Sequence, residues 1–141
     1  MAELGGDPVS VDQLQALALV NYGHFTSLRV EPDGGVRGLA LHLERLSRDC
    51  RALFDSELDL DEVQRLIRCA VSAASVVVRL TVFDPDLMLA HPGIAAKPRI
   101  LVTSRSAAPQ PQPPLRVRSA QYERYLPQIK HVGLLGDVCL T

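Results

Sequence analysis

Ser75-Val76-Val77-Val78-Arg79-Leu80-Thr81-Val82-Phe83 is the stretch on which the fold turns. Its β-branched and aromatic side chains fit a pleated, largely buried surface, so a strand is predicted there, ended by Asp84-Pro85. A second strand is predicted over 98–104, carried by Arg99-Ile100-Leu101-Val102-Thr103, and a third over 21–30. Asp33-Gly34-Gly35 reads as a hairpin turn, with Val36-Arg37 expected to begin a short return strand. Arg79 interrupts the apolar run, and a charge in that setting must face solvent, a partner or a ligand.

Helical periods surround these strands. Ser10 is a predicted N-cap with Gln13 as its capping-box partner, and Leu14, Leu17 and Ala18 would share one face. Leu39, Leu43, Leu46, Cys50 and Leu53 recur at steps of four and three, which predicts a helix over 39–54. Arg45, Arg48 and Asp49 lie off that stripe. Asp59 is the expected N-cap of another helix, burying Val63, Leu66, Ile67, Ala70 and Ala74. The fold class is therefore α+β: an antiparallel sheet with two main helices on one face. Residues 1–104 would form one small domain. The Pro-rich run at 105–114 reads as a semi-rigid linker, and residues 115–141 as a second structural unit. Leu115-Arg116-Val117-Arg118-Ser119 alternates and is expected to be its first strand, loosely attached to the rest.

With 141 residues, 47% apolar and 22% charged, the chain has the composition of a globular protein that buries roughly two-thirds of its unfolded surface. A net charge of −1 points to neither nucleic acid nor an anionic membrane. No apolar run is long enough to span a bilayer, and Met1 to Asp7 lacks the features of a signal peptide. Cys50, Cys69 and Cys139 lack a C-x-x-C spacing and read as reduced core thiols of a cytoplasmic protein. His24, His42 and His131 lack metal-ligand spacing, so no metal is expected. There is no phosphate-binding glycine loop, nucleophile elbow or metalloprotease motif.

Two lysines stand against thirteen arginines. Lys97, in Ala-Ala-Lys-Pro-Arg, reads as a solvated loop residue. Lys130 sits in Leu126-Pro127-Gln128-Ile129-Lys130-His131-Val132-Gly133-Leu134, an apolar, turn-forming setting. Loss of solvation favours the neutral amine, a usable nucleophile for Schiff-base chemistry. The competing reading is a lysine whose stem lies on the core and whose head reaches water.

Three pieces together carry a family resemblance. Tyr22-Gly23-His24-Phe25-Thr26-Ser27-Leu28-Arg29-Val30 is similar to a Gly-x-Phe-Glu-Thr-x-Arg opening strand. His42-Leu43-Glu44-Arg45-Leu46 is similar to a His-x-x-Arg-Leu helix, and Lys130 follows at the place of a cofactor lysine. In this order they resemble the N-terminal half of the class IV aminotransferases. That family uses pyridoxal phosphate (PLP) and includes branched-chain aminotransferases, D-amino-acid transaminases and aminodeoxychorismate lyases. The likeness covers nearly the whole chain. It departs at Thr26, where many members have glutamate, and in the end of the chain at Thr141, soon after the lysine.

The resemblance implies the family's small domain followed by the start of its large, PLP-binding domain. It implies Lys130 as the catalytic, cofactor-holding amine and Arg45 as the grip on the cofactor phosphate. Arg79 and Phe25 become substrate-binding residues, with an amino acid and a keto acid as partners. His91, in Ala-His-Pro-Gly, is a poor match to the histidine that D-amino-acid transaminases use and receives no role. Transamination is the implied activity; an aminodeoxychorismate lyase-like reaction, or a non-catalytic fragment on this fold, are the alternatives. A cytoplasmic homodimer is implied as well. The chain reads as truncated and is expected to be a poor enzyme alone, because the family's carboxylate for the pyridine nitrogen lies beyond the position of Thr141.

Overall fold

The computed structural model describes residues 2–87, 95–109 and 111–139, so His91 lies outside the described residues. The stretch from Val76 to Phe83 is central. It forms an antiparallel ladder on one side with His24–Val30 and on the other with Arg99–Ser106. Two short strands, Ala2–Leu4 and Asp7–Pro8, extend the sheet beyond Arg99–Ser106. In chain order the elements are β1 (Ala2–Leu4), β2 (Asp7–Pro8), α1 (Val11–Val20), β3 (His24–Val30), α2 (Leu39–Phe54), α3 (Leu60–Cys69), β4 (Val76–Phe83), β5 (Arg99–Ser106) and α4 (Leu135–Cys139). The five strands stand in the order β2-β1-β5-β4-β3.

Side chains of a strand alternate between faces, so the register assigns the layers. Leu28, Val30, Val78, Leu80, Val82, Ile100 and Val102 form one face with Leu46, Cys50 and Phe54 of α2 and Val63, Leu66 and Ile67 of α3. Each such side chain removed from water contributes about 1.5–3 kcal/mol. The opposite face carries a smaller cluster, Leu4, Phe83 and Leu101, against Leu14 and Leu17 of α1. Both main helices thus share one face, as expected, while α1 covers part of the other. Its capping box is present: the Gln13 N–H donates to Ser10 Oγ at 3.2 Å, and the Ser10 N–H to Gln13 Oε1 at 2.9 Å. The Asp59 carboxylate caps α3 by accepting from the Asp61 and Glu62 N–H groups.

Several local expectations change. The N-terminal hairpin was not anticipated; it turns at Gly5-Gly6, both at positive φ. Val36-Arg37 forms no return strand. The turn closes instead through the Glu31 N–H to the Gly35 carbonyl, 3.0 Å, and Val36 packs against the core before α2 begins. α3 ends at Cys69, so Ala74 is exposed rather than on its buried face. Among the cysteines only Cys50 is in the core; Cys69, at the end of α3 and off its apolar face, and Cys139 are exposed. Leu115–Ser119 is not a strand. Its alternation is real, but no neighbouring edge completes a ladder, and Leu115 and Val117 are 81% and 90% exposed.

Candidate active site

β3 is an edge strand, and the segment around Lys130 docks on its open edge. The Phe25 N–H donates to the Lys130 carbonyl at 2.9 Å, the Val132 N–H to the Gly23 carbonyl at 3.0 Å, and His24 forms a bridge with His131. Gly23 matters here: a Cβ would stand 2.5 Å from the Val82 carbonyl, so only glycine lets the chain approach β4 this closely. A turn closed by the Ile129 N–H on the Leu126 carbonyl, 3.0 Å, delivers the lysine, and Ile129 is buried beside it. The stretch over 111–123 is exposed, whereas residues 128–132, expected to be loosely attached with it, are tied to β3 and α2.

Lys130 is half-buried, and its Nζ lies 4.9 Å from the centroid of the buried Phe25 ring. The Arg79 guanidinium lies over the same ring at 3.6 Å. Cation–π attraction holds such cations to the ring face. Arg79 Nε also donates to Thr81 Oγ1 at 3.2 Å, and burial pushes the Arg79 pKa down. Ser27, Arg79, Thr103 and Arg105 belong to the adjoining groove of about 360 Å³ on this face. Lys97, by contrast, is exposed on its loop.

Arg45 approaches from α2. Its Nη2 donates to Thr26 Oγ1, and the same hydroxyl lies 2.7 Å from His42 Nδ1. The Thr26 hydroxyl has one proton and two lone pairs, so it can accept from Arg45 and still pair with His42 Nδ1 in either tautomer of the ring. The His42 pKa is pushed down, first by burial and then by the charges of Arg45 and Lys130. Arg45 Nε is buried and has no hydrogen-bond partner among the described residues. Among the described residues, Arg45 bonds Thr26 and His42 and Arg79 bonds Thr81, none of them a carboxylate.

Of the four residues singled out from sequence, Lys130 and Arg79 thus meet at the ring of Phe25, while Arg45 bonds the next residue of β3, Thr26, on the face that carries α2. Reading the sequence missed what supports them: Thr26 and His42 beside Arg45, and Arg48 and Asp49 beside Lys130. Asp49 lies off the apolar stripe of α2, yet it is only 1% exposed. A signal existed. His42, Arg45 and Asp49 follow at steps of three and four, a polar stripe flanking the apolar one. Among the described residues, no group of three or more His, Cys, Asp or Glu side chains could hold a metal ion, and no helix is long and apolar enough to cross a membrane.

The sequence profile of the family described as amino-transferase class IV matches residues 23–140. Among solved structures, a 4-amino-4-deoxychorismate lyase from Pseudomonas aeruginosa is 29% identical, with a TM-score of 0.56 over 81% of this chain and 42% of its own. A branched-chain amino acid aminotransferase from Escherichia coli matches 99% of this chain and 52% of its own, at a TM-score of 0.64 and 16% identity. A hypothetical aminotransferase from Mycobacterium tuberculosis, in its PLP-bound form, matches 75% of this chain and 39% of its own, at a TM-score of 0.55 and 23% identity. The chain therefore spans between 39% and 52% of the length of these structures. No curated protein sequence matches it.

Proposed function

The chain belongs to the class IV amino-transferase family, and we propose that it forms the lysine-bearing part of a PLP-dependent enzyme that transfers the amino group of an amino acid to a keto acid. The observation that carries this reading is Lys130 docked on β3 with Arg79 over the same Phe25 ring, while Arg45 is held by the adjoining Thr26. Two guanidiniums flanking a lysine suit a dianionic phosphate and a substrate carboxylate. The buried Arg45 Nε, without a partner among the described residues, is a donor in want of an acceptor, which a phosphate oxygen would provide.

In this reading the residues divide the work as follows. The Lys130 amine holds the cofactor covalently, and once released it carries the proton taken from the substrate α-carbon. Arg45 holds the phosphate, oriented by Thr26 and His42; a neutral His42 adds no further positive charge beside it. Arg79 receives the substrate carboxylate and Phe25 provides an apolar wall, which also excludes water from the amine. PLP, when bound, supplies the electron sink for the α-carbanion.

A lyase reading is favoured by one observation, the 29% identity to the 4-amino-4-deoxychorismate lyase. It uses the same residues and differs in the bond broken after proton removal. We further propose a cytoplasmic homodimer, in keeping with three free cysteines. The same reading divides the chain at the Pro-rich run, with residues 115–141 opening a second domain.

Borohydride reduction in the presence of PLP, followed by peptide mapping, tests the reading. The label is expected on Lys130, with Lys97 as internal control; equal labelling of the two lysines would overturn it. Keto-acid-dependent amino transfer, assayed beside pyruvate release, then separates transferase from lyase.

A further inference from the structure

A second constellation, outside the residues that would meet cofactor or substrate, bears on how Lys130 is held. Asp49 is a buried carboxylate on α2, and a buried charge is costly unless its oxygens are paired. Its Oδ2 accepts the Lys130 backbone N–H at 3.0 Å across 81 residues of sequence. Its Oδ1 accepts Arg48 Nε at 3.2 Å and Nη2 at 2.9 Å. The same Arg48 Nη2 donates to the Gln128 carbonyl at 3.0 Å. On the other side of the lysine, the Lys130 carbonyl accepts the Phe25 N–H.

We propose that Asp49, braced by Arg48, is the positioning residue for Lys130. The inference rests on the reading of Lys130 as the reactive amine. The peptide before the Lys130 α-carbon is pinned to a helix and the peptide after it to the sheet, so the root of the side chain cannot translate. Only its own torsions remain to swing the amine. Such fixing matters for reactivity, since a displacement of about 1 Å at a reacting atom can cost about 100-fold in rate. The chemistry also explains an aspartate. One oxygen must take an N–H and the other a guanidinium, and the negative charge strengthens both bonds. An asparagine has one acceptor oxygen and would turn its amide donors toward Arg48 or the Lys130 N–H.

Two readouts on the full chain test the clamp. The first is hydrogen exchange at the Lys130 amide. In Asp49→Ala its rate should rise about tenfold to a hundredfold, the scale of one charge-assisted hydrogen bond, while the Leu80 amide at the centre of the sheet stays protected. Asp49→Asn should show a smaller rise, a partial rescue by the remaining oxygen. The second is the rate of borohydride trapping of PLP on Lys130, normalised to acylation of Lys97. It should fall about tenfold or more in Asp49→Ala. If Asp49→Ala fails to fold, Arg48→Met serves instead: that side chain is 57% exposed, and its loss should raise exchange at Lys130 in a folded protein. Wild-type exchange and trapping in these variants overturn the proposal. Should PLP fail to trap wild-type Lys130, the functional reading falls, and the amide exchange still decides the clamp.

Discussion

Acid should unfold this protein through one imidazole. His24 is 0% exposed, neither ring nitrogen has a hydrogen-bond partner among the described residues, and the ring tilts against Phe54 at 6.1 Å between centroids. Burial pushes its pKa from 6.5 down to about 4, and the Asp49 carboxylate opposes only part of that. In the unfolded chain the ring titrates near its ordinary value. Between these two pH values the unfolded state binds the proton and the native state does not, so stability is present above pH 6.5 and is lost as pH falls toward 4. At about 1.4 kcal/mol per pH unit, the gap is worth about 3 kcal/mol, a large share of a typical stability of about 5–15 kcal/mol. Urea unfolding at pH 7, 5 and 4 measures it, compared between wild type and His24→Leu. Other groups lose stability in the same direction, notably Glu31, Glu57 and Glu62, whose pKa values are held down chiefly by hydrogen bonds to Ser75, Arg51 and Arg65. Their contribution is common to both proteins and cancels in the comparison. The Leu variant should therefore lose about 3 kcal/mol less than wild type between pH 7 and 4. Parallel pH dependences would refute the argument, for they would mean that the His24 ring is solvated or paired.

Arg45→Ala should weaken PLP binding by about 1.5–3 kcal/mol, the range for a hydrogen bond to a charged group, and leave pyridoxal without its phosphate unaffected; equal loss for both ligands counts against a phosphate grip. The same substitution should raise the His42 pKa toward its ordinary value by NMR titration, because burial and Lys130 remain but the Arg45 charge is gone. Leu46→Ala, in the fully buried stripe of α2, should cost about 2–5 kcal/mol in denaturant. Limited proteolysis should cut first between Ala107 and Ala120 and spare 129–132; early cleavage beside Lys130 would contradict its docking on β3.

The sequence by itself determined the elements whose signals are local. The period of Leu39, Leu43, Leu46, Cys50 and Leu53 gave α2 with both ends as observed. The β-branched run gave β4 to within a residue, and Ser10 with Gln13 gave a capping box, because caps and periods depend on side chains three or four positions apart. The motifs around Phe25, Arg45 and Lys130 pointed to the family for the same reason: each is a short string. What only the tertiary structure decided is which strings meet. The failed strand at Leu115–Ser119 shows the limit, since alternation supplies a face but not the neighbouring edge that a ladder needs. Asp49 shows it more sharply. From its helix it reads as an outward charge, and it becomes a buried anchor only because residue 130 brings a backbone N–H to it from 81 positions away. Burial and hydrogen bonding of that kind are properties of long-range contacts, and no local period encodes the partner at the far end.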